Sequence, residues 1–356
     1  MQTKIFKMSD EAIDYNYLNE CVRIIERGGI VGFPTETVYG LGINAADNKA
    51  LRRLYEIKNR PLDKPLTLHI SSFSKIEDFT SDTSTKPYKL IDKFWPGPLT
   101  LILKAKAKNE TVGLRCPANK IAQELINRTT RTILATSANL SDKQPAIGSS
   151  AVLSDFSGKI EAIIDAGKTR LGSESTIVDL SAEGIKFLRI GAIEKEAIEK
   201  VLNTKVVLFV CTGNSCRSVM AKALLDKALK EIGRGDIEVI DAGTQTIGNM
   251  APTEFTLKLL TGEGIDMSSH RSSQLTRKLI RKSDLILVME KVHEEHILSM
   301  EPQAKKRLYL LREFSLDEPA EKTELEIVDP IGKSFETYQE CFSIIKQSIE
   351  RLKKLL

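Results

Sequence analysis

The stretch Val206–Ser218, VVLFVCTGNSCRS, decides how the second half of the chain folds, and the rest is read outward from it. The apolar, β-branched run to Val210 has the make-up of a buried strand. Cys211 stands at its end, Gly213 sits in the loop that follows, and Arg217 comes six positions after the cysteine. Beyond it Met220, Leu224 and Ala228, with Leu225, Leu229 and Ile232, mark an amphipathic helix. A strand, a glycine-containing loop and a helix in this order can cradle a phosphate. Loop N–H groups converge on the anion, the helix dipole adds positive potential, and an arginine grips two oxygens. A thiol in that field is expected to have a lowered pKa, and the thiolate is the nucleophile. An ordinary strand-to-helix turn with a structural thiol is the other reading. The coincidence of Cys, Gly and Arg at fixed offsets after a buried strand favours the cradle.

Downstream the pattern repeats. Strands at Ile237 to Asp241, Leu285 to Met289 and Leu308 to Leu310 alternate with helices from Pro252 through Leu260 and from Lys291. This is the signature of a doubly wound parallel sheet, whose sites form beyond the C-terminal ends of the strands, where Cys211 lies. The last helix carries Tyr338, Phe342, Ile345, Ile349 and Leu352 on one stripe, with Cys341 at its border as packing. Just before it stands Val328-Asp329-Pro330. Asp-Pro alone is a common turn; opposite a nucleophile, a carboxylic acid on a proline-stiffened loop can protonate a leaving group.

Upstream, Glu194 to Asn203 reads as a short connecting helix. At the other end of the chain Ser9 is an N-cap candidate for a helix with Ile13, Tyr17, Cys21, Ile24 and Ile25 on one face and Gly28-Gly29 after it. Cys21 is therefore a core residue. Ile30–Gly42, IVGFPTETVYGLG, runs from a short strand into a loop whose Thr35, Thr37 and Tyr39 offer hydroxyls. A helix from Asn48 ends in Lys58-Asn59-Arg60-Pro61 with Lys64-Pro65 close behind, either a solvated helix end or a rigid basic rim for phosphates. Ser71 to Lys86 looks like a surface connection. Strands follow at Leu66 to Ile70 with His69, Leu99 to Leu103 after a turn packed by Trp95, Thr111 to Arg115, and Ile133 to Ala135. After a helix-poor loop come Ile163 to Asp165, Lys168-Thr169-Arg170 and Ser173 to Asp179, and Phe187 to Ile190 presents Arg189 just before Gly191. Many strands with intervening helices argue for an α/β domain on a twisted mixed sheet.

A length of 356 residues favours two domains, 1–200 and 205–356. No run is long and apolar enough to span a bilayer and the N-terminus lacks a signal peptide's apolar centre, so a cytoplasmic protein without a membrane partner is expected. Five scattered cysteines without zinc spacing argue against a disulfide framework and against a metal site. The net charge of +4 suits anionic substrates but shows no dense basic tract for nucleic acid.

Taken together, FPTETVYGLG, KNRPLDKPLTLHI, FWPGPLT, ATSANLS, STIVDL and LRIGAI closely resemble the Sua5/YciO/YrdC family, over about Ile13 to Ile193. The resemblance implies synthesis of L-threonylcarbamoyl-adenylate from L-threonine, bicarbonate and ATP, with magnesium expected on the ATP phosphates. Its product is the donor for threonylcarbamoylation of the adenosine at position 37 of tRNAs, so tRNA or tRNA-modification proteins are implied partners. By family analogy Thr37, His69, Arg115, Ser137 and Ser175 surround threonine, with Arg115 on its carboxylate, while Lys58, Arg60, Lys64, Asn139 and Arg189 hold ATP. Longer members carry a second domain of their own, and here another kind of domain takes its place. A binding module for RNA or nucleotides is the alternative for this half.

Paired with Asp329, the loop Cys211-Thr212-Gly213-Asn214-Ser215-Cys216-Arg217-Ser218 resembles the low-molecular-weight protein tyrosine phosphatase family, over about Lys205 to Leu356. The resemblance implies a cofactor-free phosphoprotein phosphatase: attack by Cys211, stabilisation by Arg217 and loop amides, and Asp329 as general acid and then base. Asn214, Ser218 and His270 support the loop, and Cys216 can trap Cys211 as a reversible disulfide. Ser215 stands where the tyrosine phosphatases carry a bulky aliphatic residue, and Ile331 where they carry an aromatic. This favours phosphoarginine, as in the protein-arginine phosphatase branch, with phosphotyrosine as the alternative. Val219 replaces the proline usual after the Arg-Ser pair. An arsenate reductase needs further cysteines on a nearby loop, and none lies between Cys216 and Cys341. A phosphoprotein sensor without catalysis is the remaining alternative, and it has no use for a general acid.

Overall fold

A computed structural model describes residues 2–107, 110–141, 143–315 and 325–356. The chain divides into two compact units, Met1–Asp82 with Lys89–Val201, and Leu202–Leu356 with Thr83–Tyr88.

In the first unit ten strands form one mixed sheet: β1 (Lys4–Lys7), β2 (Val31–Phe33), β3 (Gly40–Asn44), β4 (Thr67–His69), β5 (Leu99–Lys104), β6 (Thr111–Arg115), β7 (Ile133–Ser137), β8 (Ala162–Asp165), β9 (Thr176–Asp179) and β10 (Lys186–Arg189). Their order is β1-β8-β2-β3-β7-β4-β6-β5-β9-β10. Both faces are covered, as the alternation along β8 shows. Ala162 and Ile164 join a core with Leu18, Cys21 and Leu125 from the helices Tyr15–Glu26 and Lys120–Arg128. Ile163 joins the opposite core with Leu54 and Phe156 from the helices Asn48–Lys58 and Ser149–Phe156.

Three local expectations change. The first helix begins at Tyr15, because Asp14 rather than Ser9 caps it, accepting from Asn16 N–H at 2.9 Å and Tyr17 N–H at 3.2 Å. The segment expected to be helix-poor contains Ser149–Phe156, a short helix held by burial of Val152 and Phe156 rather than by propensity. The GLG of the expected loop is strand β3, where Gly42 is required: a Cβ there would come within 2.8 Å of the Phe33 ring.

The second unit has four parallel strands, β11 (Lys205–Cys211), β12 (Ile237–Gly243), β13 (Leu285–Val288) and β14 (Leu308–Leu310), in the order β12-β11-β13-β14. Val207 and Phe209 face a core shared with the helices Arg217–Glu231 and Phe335–Leu355, whose stripe includes Cys341. Leu208 and Val210 face the opposite core with Ile280 and Ile297. Burial on both sides is why β11 reads as an unbroken apolar run. Among the described residues no helix is long and apolar enough to cross a membrane.

Candidate active sites

In the first unit, strand register assembles a site. His69 on β4 pairs with Arg115 on β6, Arg115 with Thr100 on β5, Thr100 with Ile177 on β9, and Ile177 with Arg189 on β10. Directly paired residues share a face of a sheet. All five line one cavity of about 130 Å³, which Thr35, Arg60, Ser137, Glu174 and Ser175 also border. The wall is therefore cationic and hydroxylic with one flanking carboxylate.

The cavity's polar groups are held in place. Arg115 donates to Glu36 Oε1 at 2.7 Å and to Thr37 Oγ1 at 2.6 Å, and Glu36 Oε2 accepts from Ala118 N–H at 2.9 Å. Arg115 Nε is buried without a hydrogen-bond partner among the described residues, so one donor of the guanidinium is left for a ligand. Arg189 bonds Glu174 and the Ser175 carbonyl, and its Nη2 lies 3.1 Å from Ser175 Oγ. Arg60 is braced by the carbonyls of Lys64 at 3.0 Å and Pro65 at 2.9 Å. Burial, reinforced by Arg115, drives His69 down to about 3, so its imidazole is neutral.

Of the ten residues expected here, His69, Arg115, Ser137, Ser175, Arg60 and Arg189 line the cavity. Thr37 stands behind it, bonded to Arg115. Lys58 is 1 % exposed, and its ammonium donates to the carbonyls of Ser137 and Asn139 instead of facing the space. Burial, with Arg60 beside it, brings Lys58 down to about 7. Asn139 and Lys64 are outside the lining, and the Lys64 carbonyl serves to hold Arg60. Sequence reasoning passed over Glu36, Thr100 and Glu174. Glu36 was signalled only by a carboxylate set between threonines in a buried loop.

In the second unit, the end of β11 turns into the loop Thr212–Cys216 and the helix Arg217–Glu231. Gly243 lies opposite Cys211; a Cβ there would come within 2.6 Å of the Thr212 carbonyl and 2.9 Å of the Asn214 nitrogen, so only glycine lets the loop close over β12. Asn214 adopts a left-handed conformation at φ 52°. Its side chain donates to Asp241 Oδ2 at 2.6 Å and Ser218 Oγ at 3.0 Å and accepts from Ser273 N–H at 2.7 Å, while its carbonyl lies 3.1 Å from His270 Nε2. Since Asn214 donates to Ser218, the Ser218 hydroxyl proton is free to point at Cys211 Sγ, 3.0 Å away. Asn214 N–H also donates to that sulfur at 3.3 Å.

The balance at Cys211 differs from the sequence expectation of a lowered pKa. Burial pushes the thiol up, and Arg217, Ser218 and the Asn214 N–H only partly counter it. Cys211 is 2 % exposed, so desolvation of the thiolate outweighs the positive field around it. Arg217 donates to Glu290, to Asp329 Oδ2, to the Ile327 carbonyl at 2.8 Å and to Thr212 Oγ1 at 3.3 Å. Its Nε is buried and has no partner among the described residues, a donor available to an anion in the loop. Asp329 is thus bonded to the arginine that follows the loop. Ser215 and Cys216 are buried, with their Oγ and Sγ 3.7 Å apart, and Cys216 Sγ lies 3.5 Å from the Tyr338 hydroxyl. Val219 is fully buried in the first turn of the helix, and Ile331 is exposed beside Asp329. Asp241, Glu290 and His293 went unread in the sequence, because they reach the loop from elsewhere in the chain, Asp241 from β12 and the other two from the start of the helix Lys291–Met300.

Residues 23–191 match the model of the Sua5_yciO_yrdC family, which carries the description telomere recombination. Residues 206–356 match that of the low molecular weight phosphotyrosine protein phosphatases. A threonylcarbamoyl-AMP synthase of Pyrococcus abyssi is 45% identical over 186 residues, which are 50% of this chain and 55% of the relative. The chain spans about half the length of the curated relatives it matches. A solved structure of a doubly substituted P. abyssi Sua5 is 32% identical with a TM-score of 0.54, covering 74% of this chain and 90% of that one. Another, of P. abyssi Sua5 complexed with L-threonine, is 26% identical with a TM-score of 0.54 and covers 98% of each chain.

Proposed function

The chain belongs to the Sua5/YciO/YrdC family through its first half and to the low-molecular-weight phosphotyrosine protein phosphatase family through its second, and from that premise we propose a bifunctional enzyme. The first half makes L-threonylcarbamoyl-adenylate from L-threonine, bicarbonate and ATP; the second hydrolyses phosphoproteins through Cys211.

One observation carries the first activity: the register that sets Arg115, Thr100 and Arg189 in a row around Ser137 and Ser175. Threonine's amine condenses with bicarbonate, with loss of water, to a carbamate, whose oxygen attacks the α-phosphorus of ATP and expels pyrophosphate. No protein nucleophile is needed; the chemistry calls for anions held together and charge neutralised. Arg115, with Nε unpartnered, takes the threonine carboxylate, while Arg60 and Arg189 face the phosphates, which bring their magnesium with them. The adenylate is then the donor for tRNA. Arg60→Ala and Arg115→Ala are expected to lose threonine-dependent pyrophosphate release, and parental activity in both would remove the assignment. Calorimetric titration with threonine in the presence of ATP separates this reading from an RNA- or nucleotide-binding module, which takes up no threonine.

For the second activity the carrying observation is the convergence of Cys211, Ser218, Arg217 and Asp329. The Cys211 thiol passes its proton to a phosphoryl oxygen of the substrate and its sulfur attacks phosphorus as the leaving group takes a proton from Asp329; water then attacks the phosphocysteine, giving its proton to Asp329 and releasing phosphate and thiolate. Cys211→Ser is expected to abolish hydrolysis of an aryl phosphate. Phosphoarginine is the favoured substrate, because Ser215 puts a small hydroxylic side chain in the loop and Ile331 offers no aromatic ring to stack on phosphotyrosine. Parallel rates on phosphoarginine and phosphotyrosine peptides test this preference.

A further inference from the structure

Thr212 is bonded in a way that fixes the direction of its hydroxyl. His293 is the third residue of the helix Lys291–Met300 and is 1 % exposed. Its Nδ1 faces the Glu290 N–H at 3.1 Å. A backbone N–H can only donate, so Nδ1 is the acceptor and the ring proton of the neutral imidazole sits on Nε2. Burial and the Arg217 charge keep the ring neutral by lowering it to about 3. Nε2 lies 2.9 Å from Thr212 Oγ1 and therefore donates to it. Arg217 Nη2 donates to the same oxygen at 3.3 Å. With both lone pairs of Thr212 Oγ1 taken, its single proton has to be given elsewhere, and Thr212 adjoins the nucleophile in the phosphate loop.

We propose that Thr212, locked as a hydrogen-bond donor by His293 and Arg217, donates to an oxygen of the phosphoryl group seated in the loop, with His293 as its positioning residue. The inference rests on the phosphatase reading of Cys211. It adds a directed O–H to the N–H groups of the loop, set by a histidine that does not itself reach the substrate. An alkyl side chain at 212 would remove that donor, and an alkyl side chain at 293 would leave the hydroxyl free to turn.

The test uses the full chain, p-nitrophenyl phosphate as substrate and inorganic phosphate as competitive inhibitor. Thr212→Val is expected to lower kcat/KM about 10- to 100-fold and to weaken inhibition by phosphate in parallel, the scale of a lost hydrogen bond to a charged acceptor. Thr212→Ser, which restores the hydroxyl, should recover most of the loss. His293→Leu should fall like Thr212→Val, and the double variant should fall no further than Thr212→Val alone, because His293 acts through Thr212. Multiplied losses in the double variant would overturn the positioning role. Thr212→Val within twofold of the parent would overturn the donor, and this comparison stands even if His293→Leu does not fold. Cys211→Ser run alongside separates the two levels: if it is inactive while Thr212→Val is parental, only this inference fails, whereas a parental Cys211→Ser removes the phosphatase reading beneath it.

Discussion

Replacing Glu36 by glutamine exchanges one oxygen for an NH2 group and should be felt in both stability and threonine recognition. The Glu36 side chain is 2% exposed, and its two oxygens accept from different donors, Arg115 Nη2 at 2.7 Å and Ala118 N–H at 2.9 Å. A carboxylate can accept at both ends; a glutamine amide accepts at one and donates at the other. In Glu36→Gln either Arg115 or Ala118 therefore faces a second donor, and Arg115 loses its buried counter-charge. An unsatisfied buried donor costs about 1–3 kcal/mol, which in a unit of this size lowers Tm by about 2–12 °C. Arg115 is also the group proposed to meet the threonine carboxylate, so the threonine KM should rise about tenfold or more while hydrolysis of an aryl phosphate by the second half is unchanged. The assay pairs threonine-dependent pyrophosphate release with a thermal melt followed through the first unit. A melt within 1 °C and a KM within twofold of the parent would refute the reasoning, since both follow from the same pair of bonds.

Three further outcomes are expected. Lys58, held at about 7 in the folded chain, loses its charge as pH rises through neutrality. Its charged fraction falls about tenfold between pH 6 and 8; although the ammonium is turned to the Ser137 and Asn139 carbonyls, the positive potential behind the cavity falls with it, so ATP affinity should weaken over that range, and Lys58→Met should abolish the dependence. The sign for stability is the reverse: between pH 7 and the ordinary lysine value near ~10.4 the unfolded chain binds the proton that the folded chain has shed, so stability rises with pH across that window and the rise disappears in Lys58→Met. Asn214→Ala places an L side chain without polar atoms at φ 52° and should cost about 2–4 kcal/mol in aryl phosphatase activity; Asn214→Gly, which keeps the backbone but loses the bonds, should cost less, and equal losses would mean that the backbone conformation contributes nothing. Ser215→Ile should move the ratio of phosphoarginine to phosphotyrosine hydrolysis about tenfold towards phosphotyrosine, and an unmoved ratio would take substrate choice away from residue 215.

The Cys211 loop was legible because its pattern is local: strand, cysteine, glycine, arginine and helix follow one another from Val206 onward, and only Asp329, which bonds Arg217, had to be found at a distance. Asn214, Ser218 and His270 were read as its support, but the partners reaching in from other elements were not. Asp241 lies on β12 and His293 on a helix after β13, and the periodicities that mark those elements say nothing about which side chain reaches across to the loop. In the first half the strand ends were readable from their apolar runs, yet the pairing that lines them up depends on crossovers between segments far apart in sequence. β3 was hidden for a different reason. Its glycines lower strand propensity, and the requirement behind Gly42, the Phe33 ring, is a tertiary contact. The pKa of Cys211 went the other way from expectation because a motif gives the charges around a thiol but not the depth at which the thiol lies.

The row His69, Arg115, Thr100, Ile177 and Arg189 runs across five neighbouring strands, spanning roughly 19 Å at the usual spacing between strands. Backbone pairing, rather than any loop, is the ruler that sets these side chains apart. A slip of one residue in any of the pairings would turn part of the row to the opposite side of the sheet while leaving secondary structure content nearly the same. The proposed adenylate synthesis would thus report on strand alignment, distinguishing a correctly paired sheet from a mispaired one that circular dichroism would count as folded.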